Sequence, residues 1–302
     1  MKRNLSPIAI FVYKRLDYLK ILIDSLKKND LSKYSNIFIF SDGWKNDLDK
    51  DDVLKVRKYI GRISAFKKID IILRKKNYGL SQNIISGIDF VFKTNKKIII
   101  LEDDLKLSKY FLDFINDGLN IYKHEQKVAS INGWFFPVPY NKNMPDNFFI
   151  RGADCWGWGT WKRAWDKFEP NGEKLLAEIK KKKLEKLFNF NNSFYYTRML
   201  QNFVNKKNDS WAIRWYASIF LKKMYTLHPK VSLVQNIGTK NGENSKFDFL
   251  NLSSPIPKKK YKSIIKNKII IENQHFRKEI EIFFNKNILY KIKEGIKLIL
   301  NV

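Results

Sequence analysis

Three consecutive carboxylates, Glu102-Asp103-Asp104, end the most apolar strand-like run of the chain, Ile98-Ile99-Ile100-Leu101. Like charges so close repel one another, and at the end of a buried strand they are costly unless a cation sits between them. Hard oxygen donors with few fixed protein partners suit Mg²⁺ or Mn²⁺ held jointly by the protein and a diphosphate. An acidic triplet elsewhere would read as a solvated loop or a helix-start charge cluster. Its position after this strand favours the cation.

The elements that must position these groups follow from periodicity. From Pro7 to Ile131, short apolar runs alternate with helical spacing, the pattern of an α/β sheet. Strands are expected at Ile8–Val12, Ile37–Phe40, Ile69–Leu73, Ile98–Leu101 and Val128–Ile131. Helices are expected through Leu19, Leu22, Ile23 and Leu26, from near Ser81 through Phe92, and from Ser108 to Tyr122. Polar clusters follow the strands: Tyr13-Lys14-Arg15, Ser41-Asp42, Arg74 to Gly79, and the acidic triplet. In an open parallel sheet such loops share the edge where ligands bind, which makes them one candidate site.

Composition limits the alternatives. The 302 residues hold ample apolar content for a core, and 13 Gly with 8 Pro are too few for a fibrous or low-complexity chain. A single cysteine, Cys155, excludes an internal disulfide framework. No apolar run is long enough to span a membrane and no signal peptide is evident, so the expected compartment is the cytoplasm. The formal charge is +28, yet ten of the 58 basic residues are Arg, and abundant Lys, Asn and Ile look like codon bias. With no nucleic-acid-binding motif, nucleic acid is not an expected partner.

Taken in order over residues 7–240, four pieces resemble GT-A glycosyltransferases. They are Pro7 to Arg15, Ser41-Asp42-Gly43, Asn77-Tyr78-Gly79-Leu80-Ser81 and Ile100 to Leu105. The likeness is to N-acetylglucosaminyltransferase I-like enzymes and bacterial family 2-like sugar transferases. It implies a Rossmann-like, mostly parallel sheet flanked by helices. It also implies a metal-dependent, inverting transfer from a nucleotide-diphosphate sugar, UDP-linked, to a bacterial surface glycan or lipid-linked saccharide. By the same resemblance Asp104 would bind Mn²⁺ or Mg²⁺, while Asp103 and Glu102 would contact ribose or donor sugar. Tyr13, Arg15 and Asp42 would lie along the nucleotide, and Arg74, Asn77, Gly79 and Ser81 along the diphosphate or donor sugar. From the residues alone, Arg15 could instead pair with Asp17, and Asp42-Gly43 could be a simple turn.

The segment Arg151 to Trp161 alternates small residues with Trp, giving a backbone able to bend around a ligand and indole faces able to stack on sugar C–H surfaces. Trp156 and Trp158 are the expected sugar contacts, whereas Trp161 and Trp165 read as core at i, i+4 on a helix. Inverting transfer needs a carboxylate to take the acceptor proton. Asp209, before Ser210-Trp211, fits the placement that the resemblance implies, with Asp154 its rival; Asp209 also fits an N-cap. Thr239 to Ser245 departs from the related bacterial sequences, which puts a histidine contact from that loop in doubt.

The expected organisation is a transferase domain over 1–245, with a nucleotide-sugar half (1–131) and an acceptor half (132–245), and a basic helical appendage over 246–302. A terminal amphipathic helix, Asn287 to Leu300, with Lys258-Lys259-Lys260 and Lys262 upstream, would dock on its own domain, on a second copy in a homodimer, or on an anionic membrane. The membrane alternative would make the protein peripheral at the inner face of the cell membrane. The competing class is a non-catalytic carbohydrate-binding or scaffold protein on the same fold.

Overall fold

The computed structural model describes residues 4–238 and 269–286, together with Leu252, Ile256, Ile264, Lys266 and Asn267. Its first half builds outward from β1 (Ile8–Val12), which is wholly buried. Alternation along β1 divides the core. Ile8, Ile10 and Val12 pack on one face with Leu19, Leu22, Ile23 and Leu26 of α1 (Leu16–Lys27). Ala9 and Phe11 pack on the other with Ile84, Ile88 and Val91 of α3 (Gly79–Phe92). A strand buried on both faces has to be apolar throughout, as this one is.

β2 (Asn36–Ser41) and β4 (Lys97–Glu102) flank β1 in parallel, and β3 (Lys68–Leu73) extends the same arrangement beyond β2. Between β2 and β3 lies α2 (Asp47–Ile60), a helix that the sequence pattern did not announce. Its N-cap is Asn46, whose side chain accepts from the Asp49 N–H at 3.2 Å. Its apolar stripe is reduced to Val53, Val56 and Ile60, too sparse to stand out among the charges.

The second half completes an eight-stranded sheet of order β3-β2-β1-β4-β8-β6-β9-β7. Its strands are β6 (Val128–Asn132), β7 (Asn147–Ile150), β8 (Trp158–Trp161) and β9 (Tyr225–Pro229). β8 runs antiparallel to both β4 and β6, and β7 antiparallel to β9; the other six strands share one direction. The protein is therefore an α/β chain with a large, mostly parallel sheet flanked by helices, as expected. A two-stranded antiparallel ribbon, β5 (Leu105–Leu107) with β10 (Val234–Asn236), starts immediately after the acidic triplet and pairs Leu105 with Asn236.

Helices α4 (Phe111–Ile121), α5 (Lys162–Trp165), α6 (Gly172–Lys181), α7 (Glu185–Phe188), α8 (Tyr196–Val204) and α9 (Trp211–Leu221) cover the second half. Trp161 and Trp165 are both buried, but Trp161 is a strand residue of β8 and Trp165 a helical residue of α5, so they do not share a helix.

The expected separate appendage needs correction where the chain is described. Glu272 bridges to Phe149, and α10 (Gln274–Lys286) buries Phe276, Ile280 and Phe284 in the main core. Phe276 stacks on Phe148 with centroids 3.7 Å apart. Burial of each such side chain contributes about 1.5–3 kcal/mol, enough to fix this helix despite its charge. The amphipathic stretch Asn287 to Leu300 and the cluster Lys258-Lys259-Lys260 with Lys262 lie outside the described residues. Among the described residues, no helix is long and apolar enough to cross a membrane.

Candidate functional site

The carboxyl ends of β1, β2 and β4 bring three of the polar clusters together. Arg15, at the N-cap position of α1, donates to Asp103 Oδ1 and lies 3.1 Å from Asp104 Oδ2. The Asp103 and Asp104 side chains are only 4% and 8% exposed, and this guanidinium offsets part of their charge. It does not pair with Asp17, which sits beside Lys20 at 3.5 Å. Burial pushes the Asp103 carboxyl up to about 6; Arg15 opposes that shift and the Asp104 charge reinforces it. Burial works against the Arg15 charge, but Asp103 and Asp104 together hold its pKa above the usual arginine value.

Tyr13 is part of the same edge. Its N–H donates to Asp103 Oδ2 at 3.4 Å and its hydroxyl to Asp49 Oδ2 at 2.7 Å, while it accepts from the Lys45 N–H at 2.9 Å. Burial and the Asp49 hydrogen bond push the phenol up to about 12. Lys14 meets the other Asp49 oxygen at 2.5 Å, so Asp49 on α2 anchors the whole turn. No motif pointed to Asp49.

Asp42 is a turn residue and something more. Its carboxylate accepts from the N–H groups of Gly43, Tyr78 and Gly79 at 2.8–2.9 Å and from Asn77 Nδ2 at 3.3 Å. It thus ties the turn after β2 to the start of α3. Burial raises its pKa even against these donors. Gly79 has φ +73°, a left-handed conformation natural to glycine, and it lets two consecutive N–H groups converge on Asp42. Arg74 faces away from the triplet, donating to Asn83 and Ser86 at 3.1 and 2.9 Å and covering the Tyr78 ring at 4.7 Å. Ser81 is buried and accepts from Arg214 of α9 at 2.6 Å, an interhelical tie that spacing alone could not reveal.

The ribbon closes the edge from above. Gly238 packs so tightly on Asp104 that a Cβ there would lie 2.4 Å from Oδ2. The Ile237 N–H donates to the Asp104 carbonyl at 2.8 Å. Asn236 is buried, its Oδ1 accepts from the Gly238 N–H at 2.8 Å, and its Nδ2 has no partner among the described residues. No three His, Cys, Asp or Glu side chains converge among the described residues. A metal on Asp104 would therefore share its coordination with the ligand, and the nearly buried carboxylates with an orphan amide donor behind them suit a cation plus an anionic oxygen. Glu102, at the end of β4, completes the acidic rim.

A second region adjoins this edge through β8, whose start faces the ends of β4 and β6. There a small cavity of about 80 Å³ is lined by Asp154, Phe136, Phe190, Tyr196, Met199 and Tyr216, among others. The Asp154 carbonyl accepts from Asn132 Nδ2 at 2.9 Å. Its carboxyl is 23% exposed, and desolvation pushes it up to about 7. Trp156 is half-buried against Trp134, edge-on at 4.8 Å. Trp158 has no exposed surface and sits among Trp165, Trp211 and Trp215, so it is a core residue and the expected sugar contact through it is corrected. Trp158 opens β8, whose four residues are all buried, whereas Trp156 precedes the strand across Gly157 at φ +67°, a distinction the Gly/Trp pattern could not make.

Asp209 is 70% exposed and stands 3.7 Å from Arg214. It is not the N-cap; Ser210 caps α9 by accepting from the Ile213 N–H. The structure thus unites Tyr13, Arg15, Glu102, Asp103 and Asp104 with the Asp42–Asn77–Gly79 staple, and sets Asp154 in the adjoining cleft. Asp209 lies in solvent, and Arg74 turns to α3.

Fold and site define an α/β protein with an arginine-bridged carboxylate pair at the carboxyl edge of a mostly parallel sheet. No protein-family model matches the chain, and no curated protein does. Solved structures give partial likenesses. S. aureus TarS is 14% identical over 48% of this chain and 24% of its own, with a TM-score of 0.32. Residues 1–349 of the same protein, in complex with UDP-GlcNAc, give 14% identity over 47% and 37%, with a TM-score of 0.32. GalNAc-T7 with UDP, GalNAc and Mn²⁺ gives 10% over 55% and 37%, with a TM-score of 0.38. The chain spans about a quarter to two fifths of the length of these proteins.

Proposed function

We propose that this chain is a GT-A type glycosyltransferase that moves a sugar from a nucleotide diphosphate, UDP-linked, to a glycan or lipid-linked hydroxyl with inversion. The observation that carries the reading is the Asp103–Arg15–Asp104 cluster at the carboxyl edge of β1 and β4, beside a cleft holding an acid–base carboxyl. Asp104 would hold the Mn²⁺ or Mg²⁺, which when bound supplies positive charge to the leaving diphosphate. Arg15 is within reach of the same anion, and the buried Asn236 amide offers a further donor. Tyr13, Asp42 and Asn77 shape the nucleotide end, while Asp103 and Glu102 face ribose or donor sugar. In the cleft, Asp154 accepts the proton of the acceptor hydroxyl as its oxygen forms the bond to the anomeric carbon and the bond to phosphate breaks. The aromatic walls of Phe136, Phe190, Tyr196 and Tyr216 suit the C–H face of a saccharide.

Burial favours Asp154 over Asp209 as the base, since Asp154 lines the cavity whereas Asp209 is 70% exposed beside Arg214. Thermal-shift measurements against a panel of nucleotide sugars with and without Mn²⁺, followed by assay of donor hydrolysis, test the reading. Metal-dependent stabilisation by UDP or a UDP-sugar supports it. Binding of saccharide without any nucleotide response would favour the non-catalytic carbohydrate-binding alternative.

A further inference from the structure

Behind Asp154 lies a histidine that the cluster above does not use. His228 on β9 is wholly buried, edge-on to Phe135 at 5.3 Å and roughly parallel to Phe148 at 6.3 Å. Its Nδ1 is 3.1 Å from the Trp134 carbonyl oxygen. A carbonyl can only accept, so Nδ1 carries the ring proton and Nε2 presents a bare lone pair. That Nε2 is buried without a hydrogen-bond partner among the described residues and points toward Asp154 Oδ2, 3.9 Å away. Burial pushes His228 down to about 4, so the ring stays neutral near pH 7.

A carboxylate and a lone pair repel, and 3.9 Å suits two groups that both lack a proton. Once Asp154 gains a proton, its O–H becomes the one donor able to satisfy Nε2, and closing the gap by about 1 Å makes an ordinary hydrogen bond. The other ionisable groups around the pair do not compete for this role. The Cys155 thiol is pushed up by burial, then by Asp154 and Glu102. On α9, the Tyr216 hydroxyl is committed to the Phe188 carbonyl at 2.9 Å. Tyr216 also feels the charges of Arg277, Glu272 and Arg151 beyond it.

We propose that His228 is a positioning residue for Asp154: its Nε2 receives the hydrogen bond of the Asp154 carboxyl once that group has taken the acceptor proton. The inference rests on Asp154 being the base. The acceptor O–H bond breaks, its oxygen bonds the anomeric carbon, and the electron pair of the sugar–phosphate bond leaves with the nucleoside diphosphate. The proton stays on Asp154, oriented by neutral His228, until it exchanges with solvent through the exposed part of the carboxyl.

The test is ¹⁵N NMR of histidine-labelled protein between pH 5 and 9, with the His228 signal assigned by its loss in His228→Phe. The Nε2 resonance is expected to move toward the hydrogen-bonded position as Asp154 protonates, without forming imidazolium, and to stay flat in Asp154→Ala. A flat wild-type signal, or one unchanged by Asp154→Ala, overturns the inference. In parallel, His228→Phe should lower kcat roughly tenfold at unchanged donor KM, and His228→Gln, which restores an acceptor, should recover part of it. Equal kcat in all three proteins also overturns it. Full turnover in Asp154→Asn would instead remove the base assignment, a result separable from the NMR coupling.

Discussion

The Arg15 guanidinium lies 3.1 Å from Asp104 Oδ2 while also donating to Asp103, so one organic cation bridges two nearly buried carboxylates. Removing it leaves both charges uncompensated. Arg15→Ala should cost about 2–4 kcal/mol at pH 8 by denaturant unfolding. Burial already holds the Asp103 carboxyl up at about 6 with Arg15 present, and without Arg15 that carboxyl should keep its proton to higher pH. The deficit should therefore shrink as pH falls from 8 toward about 6 and level off below that, and Mn²⁺ should partly restore Tm at pH 8. A deficit independent of pH and metal would show that the loss is one of packing.

Asp104→Ala should keep the fold, because deleting one carboxylate relieves repulsion, and should abolish any Mn²⁺-dependent thermal shift with UDP. A wild-type shift in this variant would place the metal elsewhere.

Gly238→Ala puts a Cβ within 2.4 Å of Asp104 Oδ2. Either the loop or the carboxylate must move. Overpacking of this kind costs roughly 1–3 kcal/mol, and the weakening of Mn²⁺–UDP affinity should exceed that caused by alanine at the solvent-facing Lys106. Isothermal titration decides between them.

Asp154→Asn should retain donor binding and lower turnover by roughly 10²–10⁴, while Asp209→Asn stays near wild type. The opposite pattern in single-turnover assays would return the base role to Asp209.

The same substitution carries a stability signature. A carboxyl held at about 7 in the fold, against about 4 when unfolded, disfavours the folded state increasingly as pH rises through that interval. Asp154→Asn should thus be the more stable protein at pH 8, by about 2–4 kcal/mol, with the advantage vanishing near pH 4. His228 titrates in the opposite sense between about 6.5 and 4, but its contribution is present in both proteins and largely cancels in the comparison.

Much of this was legible in the chain. Continuous apolar runs such as Ile98 to Leu101 can only be strands buried on both faces, and the polar residues just after them must then share an edge. The acidic triplet announced a cation by charge alone. Local pattern pointed to a metal and could not foresee Arg15 beside it, because Arg15 and Asp103 are 88 positions apart and meet only when β1 pairs with β4. Nor could it separate Trp156 from Trp158, since the difference is where β8 begins: Trp158 is inserted between β4 and β6 and Trp156 stays outside the strand. Charge suggested that the tail was separate; three buried apolar side chains of α10 bind part of it to the core. The environment of Asp154 was equally hidden. A carboxyl acquires acid–base character from the atoms that exclude water around it, and those come from β9, α8 and α9, which only the folded chain brings to it.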